Sequence, residues 1–185
     1  MDSTWEVFRR GIWCLKSVDA EQNPVWLSCG MQKSNFRIVP LATEIAQAAR
    51  LRAREGAADH AHVTVDSPTG YPCRHCLRWA QPGEQVILFP YQSIQGGRPY
   101  AESGPIFVHA GPCERYVATH KYPENFRQHR VLRAYDSDSN MIDAVVVPDD
   151  RPEAVIEQLL ENPATAFLQA RSLTRGCYTF AIERL

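Results

Sequence analysis

The sequence lacks any apolar run long enough to cross a bilayer, for which about 20 consecutive apolar residues are needed. It also has almost no net charge, because 20 basic residues stand against 21 acidic ones. A chain with balanced charge has no broad positive field to attract nucleic acid or an anionic lipid surface. We therefore predict neither a nucleic-acid partner nor a membrane partner.

The start of the chain, Met-Asp-Ser-Thr-Trp, lacks the basic beginning and apolar middle of a secretory signal peptide. We therefore expect a cytoplasmic protein, in which cysteines stay reduced. The sequence contains six cysteines, two of them separated by only two residues. Under reducing conditions such a pair indicates metal or redox chemistry before it indicates a disulfide scaffold.

The first 35 residues differ in pattern from the rest of the chain. They contain three of the four tryptophans but no sustained hydrophobic period, and regular patterning begins only at Phe36. One interpretation is a packed extension that covers the domain. The other is an addition upstream of a natural translation start at Met31. We predict an extension over residues 1–35 and one domain over residues 36–185, a length that suits a single core.

The hydrophobic pattern predicts one α+β domain with a largely antiparallel sheet and two main helices packed on one of its faces. Residues 41–55 have apolar positions at helical spacing, and Gly56 follows as a stop signal. Residues 150–153 combine an acidic cap with a proline in the first turn, which is typical of a helix start. Strand patterns occupy residues 63–66, 86–89, 105–109, 131–136, 141–147, 165–173 and 177–183. Since most of their connections look like hairpins or irregular loops, we expect antiparallel pairing.

The strongest chemical signal is a set of cysteine and histidine side chains. Cys73 and Cys76 have the spacing that lets two sulfurs bind one tetrahedral ion. The predicted strand over residues 105–109 ends at His109, and a Gly-Pro turn then leads to Cys113. We predict a Cys₃His zinc site from these four residues, with His75 as a reserve ligand. The alternative is that the thiols only fill space behind a turn, as free cysteines often do.

The thiols have two other possible uses, in redox chemistry or as a nucleophile. A thioredoxin-like redox site needs a long helix after the Cys-x-x-Cys motif to lower a thiol pKa, and Pro82 follows too soon to allow one. A nucleophilic site would use Cys73 or Cys177 with His109 or His120 as the base. The sequence does not show whether these side chains meet.

A small anionic ligand is suggested by Arg74, Arg133 and Tyr135. A guanidinium pairs bidentately with a carboxylate or phosphate, and Arg133 and Tyr135 share one face of their predicted strand. The alternative is an arginine paired with a neighbouring acidic residue on a solvated sheet face.

Five motifs occur in order, at residues 36–38 (Phe-Arg-Ile), 70–74 (Gly-Tyr-Pro-Cys-Arg), 104–108 (Gly-Pro-Ile-Phe-Val), 132–136 (Leu-Arg-Ala-Tyr-Asp) and 176–178 (Gly-Cys-Tyr). In these motifs the chain from about residue 36 to residue 185 resembles the bacterial domain-of-unknown-function family numbered 1203. The resemblance implies no established activity, cofactor or substrate. It implies that Cys76 and Cys113 occur in only some members, so that zinc would mark a subgroup. The residues it implies for a common site are Cys73, Arg74, Arg133, Tyr135 and Cys177.

Two functional hypotheses follow. The first is a ligand-binding or regulatory module whose Cys-x-x-Cys turn is held by zinc or by packing, with Arg74, Arg133, Tyr135 and Cys177 as ligand-binding residues. The second is a small enzyme with a Cys73 nucleophile and an arginine-lined anion pocket. Thiol reactivity distinguishes them, because a reactive cysteine is an accessible thiolate. We favour the module, and the sequence leaves enzymatic activity and oligomeric state open.

Overall fold

A computed structural model describes residues 34–185. The predicted extension therefore lies almost entirely outside the described residues, as does the proposed start at Met31. Within residues 34–185 no helix is both long enough and apolar enough to cross a membrane.

The described chain contains eight strands and two α-helices. In order they are β1 (Phe36–Val39), α1 (Thr43–Arg54), β2 (Ala61–Thr64), β3 (Gln85–Gln92), β4 (Ser103–His109), β5 (Arg130–Tyr135), β6 (Met141–Val146), α2 (Pro152–Glu161), β7 (Phe167–Ser172) and β8 (Tyr178–Arg184), with a 3₁₀ turn at Glu124–Phe126 before β5. A five-stranded sheet has the order β1-β8-β7-β5-β6, and a three-stranded sheet has the order β2-β3-β4. Every strand pair is antiparallel, so the predicted α+β class is confirmed.

The first core lies between α2 and the five-stranded sheet. Successive strand residues point to opposite faces, so alternate residues of β1, β5, β7 and β8 enter this core. Helix α2 contributes one apolar stripe at helical spacing. The buried strand and helix residues are Phe36, Ile38, Leu132, Ala134, Leu168, Ala170, Phe180 and Ile182 from the sheet and Val155, Ile156, Leu159 and Leu160 from α2.

The second core lies between α1 and the three-stranded sheet. Helix α1 buries only small residues, Ala46, Ala49 and Ala53, which allow its backbone to approach the strands closely. Cys73 and Cys76 are part of the same core. The prediction that both helices share one sheet face is therefore wrong, because the strands divide into two sheets and each helix packs with a different one.

The start of α1 is linked to the segment that carries the cysteines. The predicted helix covered residues 41–55, whereas α1 begins at Thr43. Leu41 is instead buried, and its amide donates a hydrogen bond to the Arg74 carbonyl at 2.9 Å. A long-range hydrogen bond thus attaches the first residue of the apolar pattern to the segment that carries the cysteines, just before the helix begins.

The packing predicts the cost of two matched substitutions. Leu160→Ala removes a fully buried side chain from α2, and we expect it to lower the free energy of unfolding by about 2–5 kcal/mol because it leaves a cavity. Leu51→Ala changes the same atoms on α1, where the residue is 49% exposed, and should cost less than about 1 kcal/mol. Urea unfolding of both variants tests this. Equal costs would contradict the packing described for α2.

Candidate metal centre

The Cys-x-x-Cys segment forms a tight turn between β2 and β3. The amide of Leu77 donates to the Cys73 carbonyl at 3.0 Å, and the amide of Cys73 donates to the Arg78 carbonyl at 2.9 Å. Leu77 has a φ of +52°, a left-handed conformation that costs a non-glycine residue about 1 kcal/mol or more. The chain therefore turns sharply directly after Cys76, and the surrounding contacts hold it there.

Strand β4 brings the second pair of ligands to this turn. Cys73 forms a parallel bridge with Phe107, and the amide of Arg74 donates to the Phe107 carbonyl at 2.9 Å. His109 follows Phe107 at the end of β4, and Cys113 lies four residues further on. The backbone bridge thus accounts for the meeting of two segments that are distant in sequence.

The structure brings the four predicted metal ligands together. One donor atom from each of Cys73, Cys76, His109 and Cys113 lies within 4.8 Å of all the others. The sulfurs of Cys73 and Cys113 are 3.9 Å apart, and the Cys76 sulfur is 3.4 Å from His109 Nδ1. Tetrahedral zinc with bonds of about 2.0–2.3 Å places its ligands roughly 3.3–3.8 Å apart. The cluster therefore needs shifts of at most about 1 Å to hold an ion.

The cluster is largely shielded from solvent. Cys73 is 0% exposed and Cys76 is 5% exposed, while Cys113 is partly buried. The side chain of His109 is 12% exposed. A donor set this enclosed leaves little access for a substrate.

The three thiols influence one another's ionisation. A hydrogen bond with Cys113, and a second with Cys76, hold the pKa of Cys73 far below its ordinary value despite burial. The hydrogen bond with Cys73 in turn raises the pKa of Cys113. The first proton therefore leaves the cluster easily, and repulsion between thiolates opposes the loss of the others. A divalent cation would relieve that repulsion.

Three charged side chains surround the cluster. Glu84 lies 3.5 Å from His109 Nε2, which leaves Nδ1 facing the Cys76 sulfur. Arg50 of α1 donates to the Cys113 sulfur at 3.4 Å and to the His109 carbonyl at 2.9 Å. A hydrogen bond to Cys76 raises the pKa of Arg78. Metal-binding histidines commonly have such a carboxylate on the second nitrogen, where it fixes the ring orientation.

His75, the reserve ligand of the sequence analysis, lies beside the four-residue set. Its Nδ1 is 3.2 Å from the Cys113 sulfur, and its Nε2 is 3.1 Å from the Thr43 hydroxyl. Burial lowers the pKa of His75, which favours the neutral ring. A neutral ring can donate to the sulfur and accept from the hydroxyl, so His75 supports Cys113 as a hydrogen-bond partner.

The predicted ligand-binding residues occupy two places. Arg74 and Cys177 line the same surface cavity. Arg133 forms an ion pair with Glu102 at 3.1 Å, and Tyr135 is buried with its ring stacked on Phe167 at 5.0 Å. Neither Arg133 nor Tyr135 lines the cavity, so the structure joins only two of the four predicted residues.

Arg74 is 3% exposed and is held by main-chain carbonyls. Its Nε donates to the Tyr178 carbonyl at 2.6 Å, and its Nη1 donates to the Pro72 carbonyl at 2.5 Å. Burial lowers its pKa to about 10, and the charge of Arg130 acts in the same direction. A guanidinium with a pKa near 10 keeps its positive charge at neutral pH, although no carboxylate of the described residues forms an ion pair with it.

Sequence analysis missed Arg50, Glu84 and Arg130. Arg50 follows Ala49 on a helix whose buried side consists of alanines, a weak signal that the guanidinium lies near packed residues. The signal for Arg130 is clearer. It lies two residues before the buried Leu132 in β5, so both side chains point to the same, core-facing side of the strand. Nothing in the sequence pattern singles out Glu84.

Fold and site together define an α+β domain with a largely buried Cys₃His cluster at the end of strand β4. The chain belongs to the DUF1203 family, described as a protein of unknown function, whose family model matches residues 70–184. This match confirms the family resemblance predicted from the motifs, and it contains all four cluster residues. No curated protein and no solved structure matches the chain significantly.

Burial predicts which cysteines react with a thiol reagent. Cys177 is partly exposed, whereas Cys73 and Cys76 are buried. In native protein at neutral pH we expect iodoacetamide to modify Cys177 at least tenfold faster than Cys73, because the reagent must reach the sulfur. Peptide mapping by mass spectrometry measures each site separately, and labelling in urea provides the control. Faster modification of Cys73 than of Cys177 would contradict the described burial.

Proposed function

We propose that this protein is a binding module whose Cys-x-x-Cys turn is held by one structural zinc ion. The observation that carries the proposal is the convergence of four donor atoms within 4.8 Å, from two chain segments joined by a backbone bridge. Three thiolates and one imidazole are a donor set typical of structural zinc. The neighbouring glutamate and arginines add the outer contacts that such sites use.

The enclosure of the cluster favours a structural role over a catalytic one. A catalytic zinc ion keeps one coordination position for water or substrate, whereas a structural ion has four protein ligands. Here the chain offers four donor atoms, enough to fill all four positions, and Cys73 has no exposed surface. The ion would fasten the turn to the end of β4 and, through Arg50, to helix α1.

Charge also supports a bound divalent cation. Three thiolates and one zinc ion leave a single negative charge, which Arg50 and Arg78 are positioned to balance. Without a cation, repulsion within the cluster, whose donor atoms lie within 4.8 Å of one another, would oppose ionisation of all three thiols. A bound divalent cation would stabilise all three thiolates at once, and the closeness of the three sulfurs supports this proposal.

A Cys73 enzyme is the alternative function, and burial weighs against it. A nucleophile has to reach its substrate, whereas Cys73 is 0% exposed and its sulfur faces Cys113 at 3.9 Å. Cys177 has the accessibility that Cys73 lacks, because it lines the cavity shared with Arg74. The binding-module proposal includes a reducing, cytoplasmic setting and a small anionic ligand at that cavity.

Elemental analysis of purified protein tests the metal. We expect about one zinc per chain in the wild type and much less in Cys76→Ser, because the hydroxyl is a poor replacement for a thiolate ligand. The variant should also melt several degrees lower, since zinc binding free energy contributes to folding. Cys177→Ser is the matched control and should keep both zinc and stability. Metal-free wild-type protein, or full zinc in Cys76→Ser, would refute the proposal.

Acidification provides a second test. A thiol whose pKa is lower in the folded chain than in the unfolded chain contributes stability at high pH, and that contribution is lost as pH falls. Zinc lowers thiol pKa values further, so protons and zinc compete for the same sulfurs. We expect zinc to be retained at about pH 8 and released by about pH 4, as measured with a metal-sensitive dye. Release that increases as pH rises would contradict this.

A further inference from the structure

A large cavity lies beside the Cys-x-x-Cys turn. Its volume is about 990 Å³, enough for a small organic molecule. Trp79 and Phe107 contribute aromatic surface to its wall, and Arg74 and Cys177 line it as well. The cavity therefore combines an apolar wall with a cationic side chain.

The lining carries more positive than negative charge. Four arginines line the cavity against two carboxylates, Glu124 and Asp149. Arg127 is neutralised, because it pairs with Glu124 at 2.8 Å and with Glu153 at 2.8 Å. Arg74 and Arg130 form no ion pair with any carboxylate within residues 34–185. Two of the three lining arginines without an ion pair in the described chain, Arg74 and Arg130, are buried, and the third, Arg175, is exposed.

Arg130 is the most informative of these residues. It is 7% exposed, and its Nε has no hydrogen-bond partner among the described residues. Its Nη1 donates to the His129 carbonyl at 3.1 Å, and its guanidinium lies 5.2 Å from the centre of the Phe126 ring. A buried cation with an unused donor is costly unless an anion pairs with it. The lining thus contains a buried guanidinium that has one hydrogen bond, to a main-chain carbonyl, and no carboxylate partner among the described residues.

We infer that this cavity binds a small molecule with a carboxylate or phosphate group attached to an apolar ring. Arg130 and Arg74 bind the oxyanion, because guanidinium groups present donors in a fork that matches carboxylate and phosphate oxygens. Arg175 lies at an exposed position of the lining and adds attraction at longer range. The ring of the ligand packs against Trp79 and Phe107.

This inference deepens the proposed function, because Arg74 lies within the turn that zinc would hold. The two proposals nevertheless fail separately. Protein that contains zinc but binds no anion would refute the anion site alone. Protein that binds the anion without zinc would refute the metal proposal alone.

Calorimetric titration of the full chain with benzoate and phenyl phosphate tests the site, with benzamide as the uncharged control. We expect at least one of the two anions to bind and benzamide to bind much more weakly. Arg130→Gln should weaken anion binding about tenfold or more, because it removes a charge-assisted donor. Arg52→Gln, on α1 and outside the lining, is the matched control and should leave binding unchanged.

Two results would overturn the inference. One is the absence of binding by both anions up to about 10 mM. The other is anion binding that Arg130→Gln weakens no more than Arg52→Gln does. If Arg130→Gln does not fold, as judged by circular dichroism, Arg175→Gln replaces it, because that residue is exposed. We expect it to weaken binding several-fold, and unchanged binding would likewise overturn the inference.

Discussion

The sulfurs of Cys73 and Cys113 lie 3.9 Å apart although 40 residues separate them in the chain. This contact depends on the parallel bridge between Cys73 and Phe107, which attaches the Cys-x-x-Cys turn to strand β4. The second core is built around the same attachment, because both turn cysteines pack between α1 and the three-stranded sheet. The packing of α1 against the three-stranded sheet therefore depends on this turn being held at β4.

Neighbouring residues of the turn contribute to two sites. Cys73 and Cys76 face the cluster, whereas Arg74 lines the cavity and binds the carbonyl of Tyr178 in β8. A metal that fixes the two sulfurs would also fix the backbone from which Arg74 extends. A structural ion at the cluster would thereby favour the proposed ligand binding, because a guanidinium held in place loses less entropy when an anion binds.

Local features of the fold could be predicted from the sequence, and long-range ones could not. The hairpin of β5 and β6 was predicted because a short turn and two apolar runs specify it locally. The division into two sheets was missed, since it depends on pairings such as that of β1 with β8.

The cluster residues were predicted from the spacing within each pair. Glu84 and Arg50 were not, because only the β3–β4 register and helix packing bring them to His109.

X-ray absorption spectroscopy at the zinc edge of the purified, full-length protein tests the central claim most directly, because it reports the atoms bound to the metal. The account predicts three sulfur ligands at about 2.3 Å and one nitrogen ligand at about 2.0–2.1 Å. That set corresponds to Cys73, Cys76, Cys113 and His109. A shell dominated by oxygen or nitrogen, or one with fewer than three sulfurs, would contradict it.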